Sequence, residues 1–136
     1  MAKNVLVDAG FVAALLSSRD AHHEWAATQA PDLPPPWSTC EAVLSEAFHL
    51  LGVRGVPSLS TMLRRGALVV AFELTENIEP VTKLIEKYSD VPMSLADACL
   101  VRMTEILAKP VILTTDKDFR VYRRHSRQVV PCVTPE

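Results

Sequence analysis

Apolar residues recur along the chain in two rhythms, short continuous runs and longer stretches spaced three and four apart. The run Asn4-Val5-Leu6-Val7 stops at Asp8, which predicts a buried parallel strand; Gly10 then permits a tight turn into a helix over 11–16. Asp20 is a fitting N-cap for a helix over 21–30, closed before Pro31. After Pro34-Pro35-Pro36, which reads as a connection, Trp37-Ser38-Thr39 is a second candidate strand. Val43, Leu44, Ala47, Phe48, Leu50 and Leu51 fall at helical spacing over 41–51, with Ser38 or Thr39 to cap that helix and Gly52 past its end. The pattern continues with a separate helix over 57–65, a third strand over 67–72, and a helix over 78–88 whose face carries Ile78, Val81, Ile85 and Tyr88. Ser94 caps a helix running to Ala108, Val111-Ile112-Leu113-Thr114 is a fourth strand, and 129–132 a short fifth one, its Pro131 tolerable only near an edge. Strands alternating with helices predict an α/β fold, a parallel sheet between helix layers, in a single domain over 1–136.

Composition narrows this picture without redirecting it. Hydrophobic residues make up 49% of the 136 and charged residues 22%, ordinary values for a folded domain. No apolar run reaches the roughly 18 residues of a membrane span, and no secretory signal is evident, so a membrane role is not expected. Cys40, Cys99 and Cys132 form no CxxC pair and are odd in number, which argues against a disulfide framework or thiolate zinc site and fits a reducing cytoplasm. Net charge is -2, so nucleic acid would have to be met by a local patch. One exists: residues 114–136 carry Lys117, Arg120, Arg123, Arg124 and Arg127 against Asp116, Asp118 and Glu136.

In an open parallel sheet, ligands bind outside the carboxyl ends of the strands. Asp8 ends the first strand there, and Asp116 follows the fourth by two residues. A charge adjoining a buried strand is costly unless paired or metal-bound, which favours function over a plain turn for Asp8. Glu46 and Asp97 sit among core residues of two helices. The bland alternatives are a solvated helix face for Glu46, where Glu41 competes, dipole compensation for Asp97, and a loop cap for Asp116 or Asp118. His22, His23, His49 and His125 show no ligand spacing, and Trp25, Trp37 and Phe48 read as core aromatics.

Taken in order, Asp8 in VLVDAGFVAALL, Glu46 in EAVLSEAFHLL, Asp97 in SLADACLV and Asp116 in ILTTDKDF resemble the acidic motifs of PIN domains, particularly VapC-type ribonuclease toxins. The resemblance covers nearly the whole chain. It implies a PIN-like three-layer α/β/α sandwich in which the four acids converge to hold Mg²⁺ or Mn²⁺ for hydrolysis of RNA. Members commonly carry Thr or Ser after the first aspartate; Ala9 here has no hydroxyl, so one hydrogen bond to the site is missing or comes from elsewhere. Thr114 and Ser94 are placed to supply polar contacts around the acids.

Clustered carboxylates repel, and a hard divalent cation held by oxygen ligands alone is the usual remedy, which again points to Mg²⁺ or Mn²⁺. Lys117, Arg120, Arg123 and Arg124 would hold RNA phosphates near the fourth acid. The resemblance also implies a small antitoxin protein that occupies the site, and homodimerisation. The chief alternative is a noncatalytic PIN-like module that binds RNA or protein. An aspartyl-phosphate phosphatase lacks support because position 10 is Gly where a second Asp would stand, and an NTPase lacks a Gly-rich loop with its Lys.

Overall fold

The computed structural model describes residues 2–136. Its elements in chain order are β1 (Asn4–Val7), α1 (Ala9–Leu16), α2 (His23–Gln29), β2 (Trp37–Thr39), α3 (Glu41–Arg64), β3 (Leu68–Val70), α4 (Ile78–Lys87), α5 (Leu95–Ile106), β4 (Pro110–Leu113), β5 (Arg123–Arg124), β6 (Gln128–Val129) and β7 (Cys132–Val133), with 3₁₀ turns at Leu74–Asn77 and Lys117–Arg120. Five strands form one sheet in the order β3-β2-β1-β4-β7, every neighbouring pair parallel. The apolar runs that announced β1 and β4 have their reason here: Leu6, Val7, Ile112 and Leu113 are fully buried, because central parallel strands are covered on both faces.

Right-handed crossovers place α1, α2 and α3 on one face, where α1 packs on both others, and α4 with α5 on the opposite face. This is the expected α/β/α sandwich. Phe11 anchors the first layer, its ring edge-on to Trp25 at 5.8 Å and to Trp37 at 5.3 Å. Trp37 is buried as expected, while Trp25 and Phe48 sit half-buried at the core margin. Cys40, Cys99 and Cys132 are free thiols.

Register decides where the polar residues land. Val7 lies opposite Leu113, so the next residues, Asp8 and Thr114, emerge side by side at the carboxyl edge. The Asp8 N–H donates to the Leu113 carbonyl at 3.3 Å, extending the ladder one step past the strand.

Three sequence expectations need correction. The helix over 57–65 opens earlier than expected: Gly52, whose φ of 66° and ψ of -168° suit glycine alone, ends the first helical stretch of α3 as expected, and the second stretch runs on to Arg64. The helical path therefore resumes well before Pro57, the residue that had seemed to open it. The strand over 129–132 is instead two pieces of different sheets. Val129 pairs antiparallel with Arg123 and Cys132 pairs parallel with Ile112, while Pro131, which has no N–H, serves only as an acceptor for Ile112 at 2.9 Å. The third strand is shorter than 67–72, spanning Leu68–Val70, with the Ala71 N–H still donating to the Thr39 carbonyl at 3.0 Å just past it.

Candidate active site

Asp8 is both the last link of β1 and the N-cap of α1. Its Oδ1 accepts the Phe11 N–H at 2.8 Å, and its Oδ2 accepts the hydroxyl of Thr114. The same Thr114 oxygen accepts the Asp116 N–H at 2.8 Å, so one hydroxyl ties the first acid to the backbone of the fourth. Asp116 in turn accepts the Asp118 N–H at 2.9 Å and caps the 3₁₀ turn. Ala9 offers no hydroxyl, and the hydroxyl bonded to Asp8 is that of Thr114, the residue after β4.

Asp97 enters from α5. Its N–H donates to the Ser94 Oγ at 3.0 Å, and its Oδ2 accepts the Ser94 N–H at 3.4 Å, a reciprocal capping box. Helix capping is therefore a real use of this carboxylate, shared with Ser94. Its Oδ2 also accepts the hydroxyl of Tyr122 at 3.2 Å. Tyr122 is fully buried, its ring edge-on to Tyr88 and Phe119, and nothing in the sequence marks it, since the contact spans 25 residues without a shared element.

These groups sense one another's charge. Asp8 is only 7% exposed, and burial pushes its pKa up from 3.8 to about 7; the hydrogen bonds from Thr114 and Phe11 oppose that rise, while the charges of Asp97 and Asp116 add to it. Burial also raises Asp97, with Asp116 contributing, and the Tyr122 phenol is raised by burial and by the carboxylates facing it. Asp8, Asp97 and Asp116 are thereby brought into one electrostatic neighbourhood at the carboxyl edge.

Glu46 is exposed on α3, and the carboxylate charges that bear on Asp8 are those of Asp97 and Asp116. Glu41, its competitor, is exposed in the first turn of the same helix. Among the described residues no three His, Cys, Asp or Glu side chains are gathered as a ligand set for a metal ion. The donor chemistry nonetheless fits a hard divalent cation: all-oxygen, acidic, and with one buried carboxylate whose charged form lacks a cation.

The basic segment behaves differently from a free patch. Arg123 donates to the carbonyls of Arg120, Val121 and Tyr122 at 2.8, 3.1 and 3.0 Å, and Arg124 to the carbonyl of Thr104. Arg120 reaches the Thr134 hydroxyl. Lys117 is exposed and makes no such bond among the described residues.

Compared with protein families, residues 5–124 match the model of the PIN domain. The chain belongs to the PIN domain family. A comparison with curated proteins gives no significant match. The PIN fold is generally that of a nuclease, and the family usually uses divalent metal ions. No helix of this PIN domain, among the described residues, is long and apolar enough to cross a membrane.

Proposed function

We propose that this PIN domain is a metal-dependent endoribonuclease acting on RNA phosphodiester bonds, with Mg²⁺ or Mn²⁺ held by Asp8, Asp97 and Asp116 and with Glu46 as a fourth carboxylate. On this reading it is the toxin of a toxin–antitoxin pair, a homodimer countered by a small antitoxin protein. The observation that supports the catalytic part is the bonding at the carboxyl edge of the sheet, where the Thr114 hydroxyl joins Asp8 to the Asp116 backbone and Asp8 is buried, its pKa raised by that burial and further by the charges of Asp97 and Asp116.

Asp8, Asp97 and Asp116, with Glu46, would hold a hard divalent cation, which would supply polarisation of a phosphoryl oxygen and a water of lowered pKa. The chain's own residues set the stage for it. Asp8 gives up its proton near neutral pH, so one carboxylate is ready to exchange a proton for a cation. The Thr114 hydroxyl fixes the rotamer of Asp8 and the backbone of Asp116 together. Tyr122 and the Ser94 N–H hold Asp97 through Oδ2, leaving Asp97 Oδ1 free of these contacts. The aspartates would have to draw closer to share an ion, which their repulsion opposes until a cation is present.

The test is cleavage of single-stranded RNA by the purified chain with Mg²⁺, Mn²⁺ or EDTA, beside Asp97→Asn. EDTA-sensitive cleavage that falls by orders of magnitude in the folded variant supports the reading; cleavage at the parental rate in Asp97→Asn refutes the site. A noncatalytic RNA- or protein-binding module is the second reading, favoured by Ala9 and by the lack of a gathered ligand set among the described residues. It predicts no EDTA-sensitive cleavage by the parent.

A further inference from the structure

A cavity of about 560 Å³ opens between the α1–α2 connection and the second half of α3, and its rim reaches the acidic edge through Gly10 and Thr115. That volume is within the range of small-ligand clefts, roughly 300–1,000 Å³. The approach to Asp8 is close: a Cβ at Gly10 would lie 3.6 Å from Asp8 Oδ1 and would run into the Thr115 hydroxyl. The wall away from the acids carries Arg19 and Arg54 with the hydroxyls of Ser17, Ser18 and Ser58.

The charge arrangement is selective for an anion. Asp20 is the one carboxylate in the lining, and its Oδ1 is already held by the His22 N–H at 2.8 Å. Neither Arg19 nor Arg54 makes an ion pair among the described residues, where the one salt bridge is Arg102–Glu105. Arg19 lies just past the carboxyl end of α1, where a cation complements the free carbonyls, but it makes no hydrogen bond to them among the described residues. Arg54 is brought to the cavity by the break at Gly52, which redirects the helix two residues before it. By contrast, Arg120, Arg123 and Arg124 are spent on protein partners.

We infer that this cavity is the track for the RNA strand beside the cleaved bond, with Arg19 and Arg54 contacting the phosphates that flank it and the hydroxyls lining the path between. The inference rests on the nuclease reading and adds to it a side of approach, along α1 and α3, in place of the basic carboxyl-terminal segment. The occupant is a single-stranded phosphodiester backbone, favoured over an acidic polypeptide by the continuity of the cavity with the carboxylates, where a phosphate accompanied by a cation is accommodated and a peptide carboxylate adds only repulsion.

The experiment measures binding of a fluorescent single-stranded oligoribonucleotide by anisotropy, in EDTA to stop turnover, across a salt series. Each lost phosphate contact lowers the slope of log K against log salt by about 0.7 for single strands. Arg19→Ala/Arg54→Ala should therefore lower the slope by about 1.4 and weaken binding about 25-fold at 0.1 M salt. Arg19→Lys/Arg54→Lys should retain most of the affinity, and Lys83→Ala, an exposed cation on α4, should bind like the parent. Should the double alanine variant fail to fold by circular dichroism, Arg54→Ala alone is expected to lower the slope by about 0.7. A parent that binds and cleaves RNA while the alanine variants keep its affinity and slope would overturn the track and leave the nuclease reading standing. A parent that neither binds nor cleaves RNA would overturn both. Loss of binding to poly-glutamate with RNA binding intact would assign the cavity to an acidic polypeptide and overturn the proposal.

Discussion

Replacing Asp8 with Asn should stabilise the protein, and more so as pH rises. In the folded state the carboxyl titrates at about 7, against 3.8 when unhindered, so between those values the folded chain holds a proton that the unfolded chain has released. The stabilisation from that proton is fully present below about 3.8 and is lost as pH rises towards 7. A shift of that size corresponds to about 4 kcal/mol over the whole window, at 1.36 kcal/mol per unit. About 2 kcal/mol of it falls between pH 5.5 and pH 8. Asn retains an oxygen for the Phe11 N–H, and the Thr114 hydroxyl can accept from the Asn amide where it donated to the carboxylate. Urea denaturation of parent and Asp8→Asn in EDTA, at pH 5.5 and 8.0, gives the result as a difference between two proteins, which cancels the histidines common to both. The variant's advantage should grow by about 2 kcal/mol between the two pH values. An advantage flat to within about 0.5 kcal/mol would refute a buried Asp8 titrating near neutrality.

Millimolar Mg²⁺ or Mn²⁺ at pH 8 should raise the melting temperature of the parent and leave Asp8→Asn unmoved, since a ligand stabilises only the state that binds it; equal shifts would place the cation elsewhere. Thr114→Val strands the Asp116 N–H and removes the donor to Asp8, so it should cost about 1–3 kcal/mol in urea titration while Thr114→Ser stays near the parent. Gly52→Ala has open space for its methyl, nothing lying within 4 Å, so its whole cost is backbone strain at a φ of 66°, about 1–3 kcal/mol by thermal unfolding; a loss under about 0.3 kcal/mol would mean that the helix break is not obligatory.

The parts of the site legible in the sequence are those whose position follows from local pattern. Asp8 was marked by an apolar run stopping at a charge, and Thr114 by its place in ILTTDKDF; that Thr114 stands beside Asp8 follows from the register of β4 on β1, which the sequence does not show. Ser94 was legible as a cap, although its partner in the capping box is the candidate ligand Asp97 itself. Tyr122 was invisible, because its contact with Asp97 depends on how the 3₁₀ turn and β5 fold back on α5. The bonds of Arg123 and Arg124 were not legible for the same reason: counting charge finds cations but not the carbonyls that engage them. The run at 129–132 misled because apolarity alone does not tell which sheet a residue joins, and Pro131 divides it between two.

The placement of β1 in the middle of the sheet has a consequence for how the chain acquires its form. Its partner β4 lies far along the chain, and the bond from Thr114 to Asp8 spans 106 residues. Pairings of such separation demand loop closure before they return any contact energy, so they form late and slowly. During synthesis, β1 with β2 and β3 can associate while β1's other edge waits for β4, exposing an apolar ladder that invites misassembly until the sheet is filled. Asp116 follows β4, so a ribosome-bound chain short of β4 carries Asp8 and Asp97 without the arrangement that couples them to Asp116.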